Sequence, residues 1–264
     1  STNSNFDFLE FHLSYNDLNR ELTDYIKPDD ISKLPSDFVV HCPELFAGDH
    51  LLDICSSDKE YRLESISNLN KTIEVTKKLM QFFPSSKKPI IVVNVGGFTL
   101  DRHLNKPERD EKYQIFIDSF SDIDTKDIRL SPQTMPPFPW HFGGQRFHNL
   151  FTYPDEIVDI VKQLNLEVCL DISHSKLTCN YFGIDFESFL NKVGPYVNHI
   201  HMADGSGVDG EGLQIGDGEI DFINVCNMLK KVTPCSSFIP EIWQGHKDNG
   251  NGFWKAFSVL EGLF

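Results

Sequence analysis

Apolar runs recur along the chain at intervals that suit strands alternating with helices. Seven segments have strand character, most of them nearly continuous in apolar residues: 8–14, 38–44, 90–97, 128–134, 167–174, 199–204 and 238–244. Continuous apolar character is typical of parallel strands that helices cover, whereas a strand with one wet face alternates apolar and polar positions. The pattern therefore predicts βα units and a parallel sheet.

The segments between the strands have helical spacing. The longest, 60–83, has apolar residues three or four positions apart over much of its length, beginning at Leu63 and ending at Phe83. Shorter helices are predicted from a first-turn proline, from aspartates that can cap the helix and from apolar spacing, over 155–164, 185–193, 221–232 and 253–263. No shift in composition divides the chain, so we expect one domain over residues 1–264.

Seven predicted strands are one fewer than a closed (β/α)8 TIM barrel requires. Either the chain lacks a strand at its N-terminus because it is a fragment of a longer, multi-domain protein, or another segment replaces that strand. Residues 1–5 have no strand pattern, which favours the fragment. The expected fold class is α/β, a (β/α)8 TIM barrel with one N-terminal strand missing or replaced.

Composition narrows the class of function. The net charge of −15 argues against a nucleic-acid partner, because phosphate binding needs basic patches. The six cysteines have no CxxC or paired spacing, which indicates reduced thiols and a reducing compartment. No apolar run approaches membrane length, and the N-terminal residues lack the features of a signal peptide. We therefore expect a cytoplasmic protein with no membrane partner.

Polar side chains follow the apolar part of the predicted strands. The clearest cases are CLDISH (169–174), HIHMAD (199–204) and PEIWQGH (240–246). Because the carboxyl ends of parallel barrel strands converge on one rim, residues from these three stretches are expected to meet there. Asp171, His201 and Glu241 offer hard or borderline ligand atoms. Together they predict a site for a divalent cation.

The two-residue period of a strand indicates which side chains share a face. By that rule, polar inward positions occur near the carboxyl end of every predicted strand, among them Glu10, His12, His41, Asn94, Gln133, His199, His201 and Glu241. Trp243 is expected to share the face of Glu241. Irregular loops rich in glycine, proline, aromatic or acidic residues follow three of the strands, over 131–153, 205–221 and 245–252. Long loops in compact domains are usually functional.

With these residues in place, the chain resembles the xylose isomerase-like TIM barrels, a superfamily of sugar isomerases, epimerases and related apurinic-site endonucleases. The resemblance runs from DFLEFHLS to PEIWQGH and is most specific at DISH, at HIHMAD followed by GLQIGDGEIDF, and at PEI. It implies four ligands for a divalent metal ion (Mn, Mg, Co or Zn), namely Gln133, Asp171, His201 and Glu241. It also implies that His174 faces the substrate beside the metal.

Two departures from the family pattern matter. Gln133 stands where the family typically has a glutamate; its amide oxygen can ligate a metal, but it carries no charge and cannot move a proton. Asn94 ends a strand that ends in histidine in the nuclease branch, and the additional Asp-x-His pair of that branch is absent from VDGEGLQIG. A trinuclear zinc nuclease is therefore disfavoured.

The resemblance implies a metal-dependent sugar isomerase or epimerase that acts on a small carbohydrate by proton transfer beside a metal-polarised carbonyl. Glu241 is the expected general base, and His174 is expected to bind a substrate oxygen. Further substrate contacts are expected from His12, His41, Asn94, Trp140, Arg146, Gln244 and His246. Arg146 either meets a substrate carboxylate or phosphate, or is a surface arginine without a ligand. Two alternatives stay open: a metal-dependent lyase or dehydratase, and a catalytically weakened sugar-binding or regulatory barrel module of a larger biosynthetic protein.

Overall fold

A computed structural model describes residues 7–21, 35–83, 87–141 and 143–264. It divides into two compact units. The first comprises Ser1–Gly96 and Glu111–Ser131, and the second comprises Gly97–Asp110 and Pro132–Phe264. The single domain expected over residues 1–264 stays a prediction. No helix in the described ranges is both long and apolar enough to span a membrane.

The strands and helices alternate along most of the chain. Within the described ranges the strands are β1 (Phe8–His12), β2 (Asp37–His41), β3 (Leu45–Phe46), β4 (His50–Leu51), β5 (Ile90–Val93), β6 (Arg129–Pro132), β7 (Trp140–His141), β8 (Gly144–Gln145), β9 (Val168–Asp171), β10 (Val197–Met202), β11 (Asp204–Ser206), β12 (Gly210–Leu213) and β13 (Ser237–Pro240). The α-helices are α1 (Lys59–Leu79), α2 (Lys106–Phe120), α3 (Pro154–Leu164), α4 (Ile172–Phe182), α5 (Phe186–Val193), α6 (Phe222–Val232) and α7 (Lys247–Leu260).

The first unit is built on a sheet with the strand order β1-β2-β5-β6. β2 pairs in parallel with β1 and with β5. All four residues of β5 are buried, as expected for a strand covered on both faces. Helix α1 begins after Asp58, whose side chain accepts hydrogen bonds from the backbone N–H groups of Glu60 and Tyr61. It buries an apolar stripe that includes Leu69 and Ile73.

The second unit contains the parallel strand order β13-β10-β9. Aspartates cap three of its helices through bonds from backbone N–H groups to the side chain: Asp171 for α4, Asp185 for α5 and Asp221 for α6. Helix α3 begins at Pro154, where a missing backbone N–H costs nothing. The antiparallel hairpins β7–β8 and β11–β12 extend from this unit.

All seven predicted strands are present, and two of them end early enough to change a prediction. The strand expected to reach residue 174 ends at Asp171, which caps helix α4, and the strand expected to reach residue 244 ends at Pro240. The shared face predicted for Glu241 and Trp243 was therefore wrong: the chain turns after Pro240, and Trp243 is 77% exposed.

The predicted helices are also present, with corrections to the first and to the last of them. Leu63 is 48% exposed and does not belong to the buried stripe of α1. The last helix begins at Lys247 rather than at residue 253 and ends at Leu260, and it contains left-handed residues at Asp248, Asn249 and Gly250. Helices α2 and α4 were not predicted. The loops expected to be irregular over 131–153 and 205–221 contain the hairpins β7–β8 and β11–β12.

Candidate functional site

Strand register brings the predicted ligands of the second unit together. In the parallel pair β9–β10, Asp171 lies opposite His201. Gln133 forms a parallel bridge with Cys169, two residues before Asp171. The backbone N–H of Glu241 donates to the carbonyl of Met202, the residue after His201. Because adjacent parallel strands lie about 4.8 Å apart, side chains at these aligned positions come within contact distance.

The other three side chains converge on one atom, Nδ1 of His201. Oε2 of Glu241 lies 2.6 Å from it, and Oδ2 of Asp171 lies 3.9 Å from it. Nε2 of Gln133 lies 3.1 Å from the same nitrogen and donates a hydrogen bond of 3.3 Å to Oδ2 of Asp171. The predicted set Gln133, Asp171, His201 and Glu241 is thus one cluster.

The cluster is buried except at Glu241. The Asp171 and His201 side chains are 3% and 0% exposed, whereas the Glu241 side chain is 29% exposed. Burial raises the pKa of the Asp171 carboxyl above its usual value; the neighbouring histidines lower it, and the Glu241 carboxylate raises it further. A carboxylate buried beside a second carboxylate is a place where a cation relieves both desolvation and repulsion.

Asp171 uses its two carboxylate oxygens for different purposes. Oδ1 accepts the backbone N–H of His174 at 2.8 Å and so caps helix α4. Oδ2 faces Gln133 and His201. The backbone N–H of Asp171 donates to Oγ1 of Thr134 at 2.9 Å, which fixes the carboxylate between the strand and the helix. Helix α4 therefore begins at a predicted ligand.

His174 lies in the first turn of α4, beside the cluster. Its Nδ1 lies 3.0 Å from the carbonyl oxygen of Thr134, and since a carbonyl only accepts, Nδ1 is the donor. Its Nε2 lies 3.6 Å from Oε2 of Glu211. Burial alone would lower the pKa of His174, but neighbouring carboxylates, Asp171 first and then Glu211, raise it.

Glu211 was not among the predicted site residues. It lies on β12 in the hairpin that the sequence presented as a loop rich in glycine and acid. An acid in such a segment is ordinarily a solvated surface residue, so the sequence had no signal for its approach to His174. The hairpin pairing, Asp204 with Leu213 and Ser206 with Gly210, fixes its position.

The donor set of the cluster fits a divalent cation. Two carboxylates, one imidazole and one amide supply the oxygen and nitrogen ligands that Mn, Mg, Co or Zn accept. Gln133 directs its amide NH2 group towards Asp171 and His201 in this arrangement. To serve as a ligand it must offer its oxygen instead, which requires a half-turn of the amide.

Three predicted substrate contacts, His12, His41 and Asn94, belong to the first unit. The rings of His12 and His41 stack with centroids 4.8 Å apart, and Nε2 of His12 lies 2.9 Å from Oε1 of Glu10. Nδ2 of Asn94 donates to Oε1 of Glu44 at 3.1 Å. Contact of these residues with a substrate stays a prediction.

The other four predicted contacts belong to the second unit and lie at or near its surface. Trp140 is 61% exposed on β7, and Gln244 and His246 lie in the turn after β13. Oε1 of Gln244 accepts a bond from Nζ of Lys247 at 2.9 Å. Among the described residues, Arg146 has a buried Nε without a hydrogen-bond partner. Substrate binding by these four also stays a prediction.

A curated relative matches part of the chain. An uncharacterised protein of Methanocaldococcus jannaschii is 35% identical over 108 residues, which are 40% of this chain and 33% of that protein. The match thus spans about a third of the length of this relative.

Several solved structures of sugar epimerases are similar over nearly the whole chain. A D-tagatose 3-epimerase-like protein has a TM-score of 0.64 and 23% identity, covering 98% of this chain and 89% of that chain. The D-psicose 3-epimerase of Clostridium cellulolyticum H10 has a TM-score of 0.62 and 14% identity, covering 98% and 88%. The 3-keto-D-glucoside 4-epimerase of E. coli has a TM-score of 0.58 and 13% identity, covering 96% and 98%. At these identities the likeness concerns the fold.

The family model described as xylose isomerase-like TIM barrel matches residues 3–261. This confirms the predicted fold class and the resemblance carried by DISH, HIHMAD and PEI. The chain belongs to the xylose isomerase-like TIM barrel family.

Proposed function

We propose that this protein is a metal-dependent isomerase or epimerase of a sugar or sugar derivative, acting by proton transfer next to a carbonyl. The observation that carries the proposal is the convergence of Gln133, Asp171 and Glu241 on Nδ1 of His201. The similarity in fold to sugar epimerases supports it. A small carbohydrate is the proposed substrate.

The proposed metal ligands are Gln133, Asp171, His201 and Glu241. When bound, a divalent ion would polarise the substrate carbonyl and stabilise the negative charge left by removal of a neighbouring carbon-bound proton. Asp171 is suited to ligation because its capping bond to helix α4 fixes its orientation. His201 is suited because it is fully buried and its Nδ1 faces Asp171 and Glu241.

Glu241 is the proposed general base. It is the one member of the cluster whose side chain is partly exposed, so a substrate can reach it. His201 holds its Oε2 at 2.6 Å, which positions the carboxylate. The carboxylate takes the proton from the hydroxyl-bearing carbon next to the carbonyl and returns it to the former carbonyl carbon, while the proton of that hydroxyl passes to the former carbonyl oxygen.

Gln133 restricts the stereochemistry of the reaction. Inversion by two bases needs an acid and a base on opposite faces of the substrate carbon, and an amide supplies neither. With Glu241 alone, proton transfer on one face, as in a 1,2-isomerisation, is the favoured course. Removal of a proton followed by loss of a β-substituent, the lyase or dehydratase alternative, needs no second carboxylate either.

His174 is the proposed substrate-orienting residue. Its Nδ1 is engaged by the carbonyl of Thr134, so Nε2 is the nitrogen available to a substrate oxygen. Because His174 is in the first turn of a helix that Asp171 caps, its ring is held next to the ligand cluster.

Exchange of a substrate proton with solvent deuterium tests the proposal. The protein is loaded in turn with Mn²⁺, Mg²⁺, Co²⁺ and Zn²⁺ and incubated in D2O with D-fructose, D-tagatose and D-allulose, and loss of the C–H signal is followed by NMR. Exchange by the wild type, reduced by a factor of about 10² or more in Glu241→Gln, is the expected result. Unchanged exchange in Glu241→Gln would show that another base acts.

The absence of a charge on Gln133 also favours a second candidate, a sugar-binding or regulatory module with weakened catalysis. The same experiment separates the two. A metal-loaded wild type that binds a ketohexose by calorimetry and exchanges no proton would support the binding module. Exchange dependent on Glu241 would support the enzyme.

A further inference from the structure

The hairpin β11–β12 is fixed at its base. The carboxylate of Asp204, which is 1% exposed, accepts hydrogen bonds from the backbone N–H groups of Gly205, Gly216, Gly218 and Ile220 at 2.8 to 3.1 Å. One carboxylate thus ties the start of the hairpin to the segment that follows it. These hydrogen bonds give the hairpin a defined position in the second unit.

Gly212 fixes the hairpin a second time, next to Glu211. Its N–H donates to Oγ of Ser173 at 3.1 Å, and its carbonyl accepts the N–H of Trp243 at 2.7 Å. Gly212 has a φ of +68°, and a Cβ there would lie 3.4 Å from the backbone nitrogen of Trp243. The chain around Glu211 is therefore held between the helix that carries His174 and the turn that follows Glu241.

Glu211 is held near His174 at a distance too long for a direct hydrogen bond. Its Oε2 lies 3.6 Å from Nε2 of His174, beyond the ordinary limit of about 3.2 Å. The Glu211 side chain is 27% exposed and that of His174 is 17% exposed, so a small molecule can approach both. A carboxylate carried on a fixed stretch of backbone and an imidazole nitrogen oriented by its bond to Thr134 suit, at this separation, one more oxygen atom that contacts each of them.

We infer that Glu211 is a further substrate-binding residue, which together with Nε2 of His174 takes one hydroxyl group of the carbohydrate. This inference rests on the proposed function and specifies its substrate. A hydroxyl has one donor and two lone pairs, so it can donate to the Glu211 carboxylate while one lone pair accepts the N–H of Nε2 of His174. The substrate therefore has a free hydroxyl at this position.

The same carboxylate determines which groups are rejected. A phosphate or carboxylate at that position of the substrate would face Glu211 at hydrogen-bond distance, and like charges there oppose binding. A sugar that lacks the hydroxyl leaves the two polar groups of the protein without their ligand, which also weakens binding. Glu211 thus selects a neutral, hydroxylated group.

Calorimetric titration of the Mn²⁺-loaded protein with D-fructose, D-tagatose and D-allulose, and with monodeoxy analogues of the tightest binder, tests the inference. Glu211→Ala is expected to lower the affinity for the parent sugar about tenfold or more, because a hydrogen bond to a charged group is lost. One monodeoxy analogue should bind the wild type about as weakly as the parent sugar binds Glu211→Ala. The same analogue should lose little further affinity in that variant. This coupling identifies the hydroxyl.

Two variants control the experiment. Asp209→Asn removes one negative charge from the exposed tip of the same hairpin and should bind the parent sugar as the wild type does. Glu211→Gln keeps the length of the side chain and an acceptor oxygen, so its affinity should lie between those of the wild type and Glu211→Ala. Its fold is checked by an unchanged thermal midpoint.

The outcomes separate this inference from the proposed function. The role of Glu211 is overturned if the wild type and Glu211→Ala bind the parent sugar with equal affinity. It is also overturned if every deoxy analogue loses as much affinity, relative to the parent sugar, in the variant as in the wild type. Binding that depends on Glu211 without deuterium exchange supports this inference and counts against the isomerase. A wild type that binds none of the three sugars at millimolar concentration overturns both.

Discussion

Polar residues end the parallel strands of both units, but their contacts differ. In the first unit they form pairs, His12 with Glu10 and Asn94 with Glu44. In the second unit, side chains from three segments approach the single nitrogen Nδ1 of His201. The convergence of several side chains on one atom is the observation on which the proposed metal site rests.

The difference comes from the residue types that the register aligns. In the first unit, β1 and β2 place His12 opposite His41, and two imidazoles side by side stack. In the second unit, β9 and β10 place Asp171 opposite His201, and a carboxylate beside an imidazole makes a polar centre that a third and a fourth group can join. Similar backbone geometry thus leads to different chemistry.

The largest effect is expected on the free energy of unfolding, at a buried ion pair of the second unit. It shows whether the stability of the fold can be lowered without loss of metal binding. Arg109 and Glu156 are each 8% exposed, and their closest atoms are 2.7 Å apart. Arg109→Leu leaves the Glu156 carboxylate buried without its partner and should cost about 3–5 kcal/mol in the free energy of unfolding. Urea denaturation measures the loss. Added metal should still stabilise the Arg109→Leu variant. If it does not, metal binding depends on the overall stability of the fold rather than on the ligand cluster.

Removal of a proposed ligand is the next largest effect. Saturating metal at about 100 times its Kd should stabilise the wild type by about 2.7 kcal/mol, and Asp171→Ala should lose this gain because the ion has lost a carboxylate. The thermal midpoint with and without Mn²⁺ measures it, together with metal analysis of the purified protein. Glu44→Gln, which removes a carboxylate from the first unit, is the matched control. Equal loss in the control would break the comparison between the units.

Restoring the missing charge should have an effect of opposite sign. Gln133→Glu places a third carboxylate within reach of Asp171 and His201, so metal affinity should rise about tenfold, or about 1.4 kcal/mol. Calorimetric titration with Mn²⁺ measures the change. Without metal the variant should be less stable than the wild type because like charges then repel. Unchanged affinity would remove Gln133 from the site and leave Asp171, His201 and Glu241 as the ligands.

Activity of the same variant distinguishes two interpretations of Gln133. If glutamine is a weakened ligand, Gln133→Glu should gain deuterium exchange on a ketohexose. If glutamine is adapted to a different substrate, the variant should lose the native exchange while metal affinity still rises. Either result is compared with Gln133→Ala, which removes the side chain without adding charge.

The smallest effect concerns the pKa values of two histidines, one in each unit, whose surroundings shift them in opposite directions. Burial lowers the pKa of His50 in the first unit, although Glu64 raises it in part, whereas carboxylates raise the pKa of His174 in the second unit. NMR titration of the metal-free protein should find the pKa of His174 above the ordinary value of about 6.5 and that of His50 below it. The opposite order would contradict the electrostatic difference between the units.

The sign of each shift sets its effect on stability. Protonated His174 stabilises the fold fully below the unfolded pKa, and this contribution is lost as pH rises through the folded pKa. His50 contributes in the opposite sense: its stabilisation is present above the unfolded pKa and is lost as pH falls through the lowered one. Comparing the pH dependence of unfolding in His50→Gln and His174→Gln checks both signs.

Much of the fold was accessible from the sequence because its signals are local. Continuous apolar runs indicated the seven strands, and Asp185 and Asp221 marked the starts of two helices. Helix α4 was missed because it begins at Ile172, directly after the last residue of β9, with no glycine or proline between them to mark the end of the strand. Helix α2 was missed because charged residues dominate its sequence, KPERDEKYQIFIDSF, and obscure an apolar stripe.

The candidate site was accessible only in part. Asp171, His201 and Glu241 follow apolar runs and were recognisable as strand-end residues. Gln133 was assigned through the family resemblance, and the structure places it in the cluster. The approach of Glu211 to His174 depends on how a hairpin folds back on a helix, and no local pattern of apolar and polar residues encodes that.

The double use of Asp171 has a consequence for how related sequences diverge. One of its oxygens starts a helix and the other faces the proposed ion, so a change at this position harms folding as well as chemistry. A descendant that abandoned catalysis would still be under selection to keep the aspartate. Gln133 is not among the capping residues found for the described helices, and selection for folding constrains it less. In a survey of relatives, the residue at position 133 should therefore report on lost or altered activity, while the aspartate at position 171 should persist in active and inactive barrels alike.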